Sequence, residues 1–163
     1  MLDSKRIRAV SIDLDDTLWP IWPTIERAEA GLQAWLATHA PNTATLHKSA
    51  ETRQAIRTQV NQDRPDLQHD FSALRRESIR MALIRSEEDP ALAEGAFEAF
   101  FAARQQVELY DDALAALEYL SSRYPLVALS NGNADVHRIG IGRFFRASVA
   151  SRDTGFAKPD ARM

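Results

Sequence analysis

The chain has 163 residues, 45% of them apolar and 26% charged, which is the composition of a globular domain rather than a disordered or fibrous segment. Cysteine is absent, which excludes disulfides, thiolate chemistry and cysteine-held zinc; the formal charge of −3 comes with no basic stripe of the kind that binds nucleic acid. No apolar run could span a bilayer, and the N-terminus, MLDSKRIRAV, lacks the apolar stretch of a signal peptide. These absences point to a cytoplasmic protein with no membrane or nucleic-acid partner.

In chain order, the first expected element is a strand over 7–14, IRAVSIDL, whose near-continuous apolar run suits a parallel strand covered on both faces. Its end carries Asp13, Asp15 and Asp16 together. Like charges repel, so a strand end built only for stability would rarely gather them. The grouping points to a cation or to carboxylate chemistry. Side chains alternate along a strand, so Asp13 and Asp15 project the same way from its C-terminal end, the end where open α/β sheets bind ligands.

Helical spacing then dominates. Ile25, Ala28, Leu32 and Leu36 mark a helix from Pro23, closed at Pro41. A polar stretch over 42–70 is expected to hold an amphipathic helix around 51–60, broken at Pro65. Asp70 reads as the N-cap of a helix to about Arg85, with Phe71, Leu74 and Ile79 turned inward. Asp89-Pro90 announces the next, with proline where a missing N–H costs nothing, and Phe97, Phe100 and Phe101 supply its packing face. A further helix opens at Asp111 or Asp112, buries Leu114, Leu117 and Leu120, and stops before Pro125.

Two more strands follow, Leu126–Ser130 and 147–151, with a short helix between them. The second strand ends in Ser130-Asn131-Gly132-Asn133, where a hydroxyl and opening backbone amides suit a phosphate cradle or simply a turn. After the third strand, Lys158 is held between Gly155 and Pro159. His39, His47, His69 and His137 show no metal-ligand spacing.

The order of these motifs, DxDxT at the first strand, Ser130 at the second and Lys158-Pro159 after the third, resembles the haloacid dehalogenase-like (HAD) hydrolase superfamily. VSIDLDDTLW, HDFSALRRESI and YPLVALSNGNA most resemble the bacterial phosphatases acting on FMN and on a phosphorylated riboflavin precursor. The resemblance implies an α/β fold, a Rossmann-like parallel sheet of which three strands are present, formed by 1–19 and 110–163 and carrying a helical cap at 20–109. It implies a Mg2+-dependent phosphomonoesterase acting on a small phosphorylated metabolite. Asp13 would be the nucleophile that forms an aspartyl-phosphate, and Asp15 the general acid and base. Ser130 and the Asn131 amide would hold phosphoryl oxygens, and Lys158 would neutralise charge. Mg2+ would bind the Asp13 carboxylate and the Asp15 carbonyl. Arg75, in the cap, and Trp19, beside the catalytic strand, are the candidate substrate contacts. An aspartate at position 15 disfavours dehalogenation.

The family completes its magnesium site with an acidic cluster after a fourth strand, and none follows Lys158. The chain is therefore expected to be truncated, with its first strand left as an edge on which a second copy could pair to give a homodimer. The alternative function is an inactive fragment acting as a self-associating or binding module.

Overall fold

A computed structural model describes residues 6–163. The chain divides into two compact units, Met1–Trp22 with Gln105–Met163, and Pro23–Arg104. The first unit is α/β. Its strands β1 (Val10–Ile12), β2 (Leu126–Ser130) and β3 (Ala147–Ala150) form one parallel sheet in the order β1-β2-β3, with Val10 opposite Leu126 and Ser130 opposite Ala150.

β1 is shorter than the expected 7–14. Its partner β2 starts only at Leu126, and the preceding Pro125 has no N–H to offer a ladder, although its carbonyl accepts from Val10 N at 3.0 Å. Nor is β1 covered on both faces: Ser11 is exposed and Val10 and Ile12 are half-buried. Only β2, the central strand, buries alternate residues fully, at Leu126, Ala128 and Ser130. Among the described residues β1 and β3 each pair on one side alone.

Beneath the sheet, Leu14, Leu18 and Trp19 pack with Leu117, Leu126 and Phe144. Leu117 comes from α6 (Ala113–Ser121), whose inward stripe is Ala113, Leu117 and the partly buried Leu120. Leu114 was expected on that stripe but lies about 100° round the helix from Ala113 and is 43% exposed. Between β2 and β3 runs α7 (Val136–Ile139), capped by Asp135, whose Oδ1 accepts from the His137 and Arg138 amides. After β3 comes α8 (Ser151–Thr154), which ends at Gly155 in the left-handed region (φ 79°), a conformation glycine adopts without strain.

The second unit is all helix: most of α1 (Ile21–His39), then α2 (Pro41–His47), α3 (Ala50–Asp63), α4 (Phe71–Arg85) and α5 (Ala93–Arg104). Pro41 both follows the end of α1 and opens α2 at its first position, where the sequence suggested only a terminator. The freed Asn42 and Thr43 amides donate to the Glu88 carboxylate at 3.0 and 2.8 Å, a cap supplied from 45 residues away along the chain in the case of Thr43. Asp70 caps α4 as read, accepting from Ser72 N and Ala73 N at 2.9 Å each. Phe71 does not turn inward. The buried stripe of α4 runs through Ser72, Ile79, Ala82 and Leu83, and Phe71, one step off it, is 51% exposed. Leu32 and Leu36, Ile79 and Leu83, and Phe97 and Phe100 form the centre of this unit.

Candidate active site

The three aspartates after β1 have three different partners. The Asp13 carboxylate receives the Lys158 ammonium, with Nζ 2.7 Å from Oδ1, and its own neighbour's amide, Leu14 N, at 2.9 Å. Asp15 Oδ1 accepts from the Trp19 indole N–H at 2.9 Å. Asp16 Oδ1 accepts from Ile21 N at 2.8 Å, the first amide of α1. Capping from this distance needs a tight turn, and Asp16 sits in the left-handed region (φ 58°), which aspartate tolerates better than most residues. Asp16 is therefore a helix-starting residue rather than a third member of the site.

The turn is stitched by backbone bonds. Leu14 O accepts from Thr17 N and Leu18 N, and Asp16 N donates to Trp19 O at 2.8 Å. Trp19 is fully buried, so it presents no ring face on which a flat ligand could stack. The substrate contact expected of it is replaced by a bond to Asp15.

At the end of β2, Ser130 is 4% exposed and its Oγ accepts from Gly132 N at 3.0 Å, which leaves its O–H to donate. The Asn131 side chain clamps the lysine loop: Oδ1 accepts from Lys158 N at 2.7 Å and Nδ2 donates to Lys158 O at 3.1 Å. Lys158 Nζ also donates to Leu129 O at 2.8 Å. A two-point grip on the backbone and a carbonyl behind the ammonium aim Lys158 at Asp13. Sequence reasoning missed Ser151, buried at 2% exposure, whose Oγ donates to Asn131 O at 3.0 Å. No local pattern signals that bond, because its partner lies 20 residues away.

The structure thus brings Asp13, Ser130, Asn131 and Lys158 together at the C-terminal ends of the strands, with Asp15 two residues on from Asp13. An open groove of about 340 Å3 adjoins Asp13 and is lined also by Ser11, Thr17 and Leu117. Among the described residues no group of three or more His, Asp or Glu is placed to hold a metal ion. The Asp13 carboxylate and the Asp15 carbonyl are nonetheless hard oxygen donors of the kind Mg2+ takes with retained waters and substrate oxygens.

Arg75 belongs to the helical unit and is engaged within it. Its Nη1 donates to Glu29 Oε1 at 2.8 Å and its guanidinium lies 4.3 Å from the centre of the Phe100 ring. The same carboxylate meets Arg57 at 3.5 Å and His47 Nε2 at 3.6 Å. Burial pushes His47 down to about 4; Glu29 opposes this, while Arg53, Arg75 and Arg57 reinforce it. The Arg75 expected to meet substrate is part of this internal network.

The haloacid dehalogenase-like hydrolase family model matches residues 7–163. The chain belongs to that family. By family it is a hydrolase, and so an enzyme by family. It is 30% identical to 5-amino-6-(5-phospho-D-ribitylamino)uracil phosphatase YigB of Escherichia coli (strain K12), a match covering 97% of this chain and 67% of that protein. A 2-haloacid dehalogenase from Pseudomonas syringae pv. Tomato DC3000 superposes with a TM-score of 0.87 at 37% identity, over 94% of this chain and 68% of that one. YfnB of Bacillus subtilis, solved with magnesium, shares the fold at a TM-score of 0.60 and 22% identity. This HAD hydrolase chain thus spans about two thirds of the length of the relatives it matches. No helix among the described residues is long and apolar enough to cross a membrane.

Proposed function

We propose that this HAD hydrolase is a cytoplasmic phosphomonoesterase for a small phosphorylated metabolite, with FMN or a phosphorylated riboflavin precursor as the substrate class. The observation that carries the reading is the Lys158 ammonium held 2.7 Å from Asp13 at the strand ends, with Ser130 alongside. An aspartate attacking a phosphate monoester works against repulsion. Two unit charges about 4 Å apart at an effective dielectric of about 20 cost roughly 4 kcal/mol, and the ester carries nearly two negative charges. A fixed cation beside the nucleophile offsets part of that cost.

In this scheme an Asp13 oxygen bonds to phosphorus as the phosphorus–ester oxygen bond breaks, and Asp15 gives its proton to the departing alkoxide. Water then attacks the phosphorus of the aspartyl-phosphate and gives its proton to Asp15 as the phosphorus–Asp13 oxygen bond breaks, which frees the Asp13 carboxylate and releases inorganic phosphate. The Ser130 hydroxyl and the Asn131 amide hold phosphoryl oxygens, and Lys158 balances their charge. Asp13 and the Asp15 carbonyl would hold Mg2+, which would supply further charge neutralisation when bound.

A second reading has its own support, since the Pseudomonas syringae relative is described as a 2-haloacid dehalogenase. There the aspartate would displace halide from carbon. Halide leaves as an anion and needs no proton, so Asp15 would have no task; this favours phosphoryl transfer. The test is to assay the full-length protein with Mg2+ on FMN, on 5-amino-6-(5-phospho-D-ribitylamino)uracil and on 2-chloropropionate. Phosphate release is expected, and chloride release without phosphate release would reverse the assignment. We extend the proposal to a homodimer through the edge of β1 that is unpaired among the described residues, since unpaired backbone groups are a template for a second copy. Sedimentation showing only monomer would remove that part, and a dimer without turnover would favour an inactive self-associating module.

A further inference from the structure

The loop after β1 contains one contact that neither the sequence reading nor the family comparison assigns. Trp19 is buried completely among Leu14, Leu18, Leu117 and Phe144, and the only polar atom of its side chain, Nε1, donates to Asp15 Oδ1 at 2.9 Å. A buried indole N–H needs an acceptor, and a backbone carbonyl would satisfy it equally well. Here the acceptor is the carboxyl group assigned the proton-transfer step. The backbone reinforces the pairing, because Asp15 and Trp19 face each other in an isolated bridge and Asp16 N donates to Trp19 O. Trp19 is also tied to the next part of the unit: its neighbour Leu18 O accepts from Tyr110 N at 2.9 Å.

We infer that Trp19 is a positioning residue for Asp15: the fixed indole N–H sets the rotamer of the carboxyl group so that it meets the leaving oxygen. This rests on the phosphatase reading above. An aspartate side chain turns about two bonds and must otherwise surrender that freedom in each turnover. A rigid ring in the core removes the freedom in advance, which is how positioned acids gain over mobile ones. The N–H is suited to both halves of the reaction. It can donate to the carboxylate and, more weakly, to the carbonyl oxygen of the neutral acid, so one geometry serves proton donation and proton return. A role of this kind has a signature that mere packing lacks. General-acid help matters greatly for an alkyl alkoxide and little for p-nitrophenolate, which departs readily without a proton.

The experiment compares the full-length protein with Trp19→Phe on an alkyl phosphate and on p-nitrophenyl phosphate. The ratio of the two kcat/KM values, which report the steps up to the first phosphoryl transfer and not the shared hydrolysis of the aspartyl-phosphate, is expected to fall about tenfold in the variant. An active parent whose ratio is unmoved in a folded Trp19→Phe protein overturns the positioning role alone. A parent inert on both esters overturns the phosphatase reading and the positioning role with it. Should the smaller ring unfold the unit, benzothienylalanine at position 19 keeps the bicyclic shape, replaces N–H by sulfur and gives the same ratio test. Independently of turnover, the Trp19 indole proton resonance is expected to move upfield in Asp15→Ala. A resonance that stays put shows that the pair is not formed in solution and overturns the inference.

Discussion

The two units treat charge differently. In the α/β unit the Asp13 and Lys158 side chains meet with 45% and 29% of their surfaces in solvent. In the helical unit Arg75, Glu29 and His47 are drawn in to 16%, 20% and 11%. A half-exposed pair at a strand end contributes little to stability, since water screens it, but its groups stay within reach of a ligand. A buried network carries a desolvation cost that is offset only while every partner is present. The difference teaches that the strand-end pair of the first unit can be changed with consequences for chemistry, and the buried network of the second with consequences for folding.

The sharpest way to break that contrast is Asp13→Asn. Hydrolysis should fall at least about 10³-fold while the denaturation midpoint stays nearly unchanged. A protein that unfolds instead would show that the strand-end pair is structural. On the other side, Phe100→Ala removes the ring that packs in the helical core and lies under Arg75. A loss of about 3–5 kcal/mol in urea unfolding is expected. A loss below about 1 kcal/mol would mean that the helical core is not closely packed there.

His47 sharpens the comparison through pH. Its folded value, about 4, lies below the ordinary histidine value of 6.5, so the unfolded chain takes up the proton first. The stability it permits is complete above the ordinary value and is lost as pH falls from there toward the folded value. The loss should be roughly 3 kcal/mol, and urea titrations at several pH values should show it shrinking in His47→Gln. Equal slopes in both proteins would remove His47 from the account. The smallest effect is expected at Asp16→Ala, which loses the bond to Ile21 N and places alanine in a left-handed turn. About 1–2 kcal/mol should be lost, with Asp16→Asn close to the parent; equal behaviour of the two variants would deny the capping role.

Much of the fold was legible because its signals are local. The limits of β2, the Asp70 cap and the Asp89 cap of the 3-10 turn Pro90–Leu92 that precedes α5 each depend on residues within about one turn of one another. The errors came where one helical position decides burial. Phe71 and Leu114 are apolar and adjacent to the buried stripe, and a step of about 100° leaves each largely in water. Pro41 shows a different limit: proline ends one helix and begins another, and only a capping group such as Glu88 reveals the second role.

For the site, the sequence by itself determined the chemistry on offer. It placed Asp13 and Asp15 just past one strand end, Ser130 and Asn131 at another and Lys158 in a following loop, because strand ends and turn-forming residues are set over a few positions. Strand alternation does not orient the aspartates, since β1 stops at Ile12. Tertiary structure decided who partners whom. Lys158 reaches Asp13 only because parallel strands bring their ends side by side, and Arg75 turns to Glu29, 46 residues away, because packed helices leave it no cheaper way to keep its charge. Trp19 lies four residues from Asp15, yet its bond there depends on the core that buries the ring and denies its N–H water.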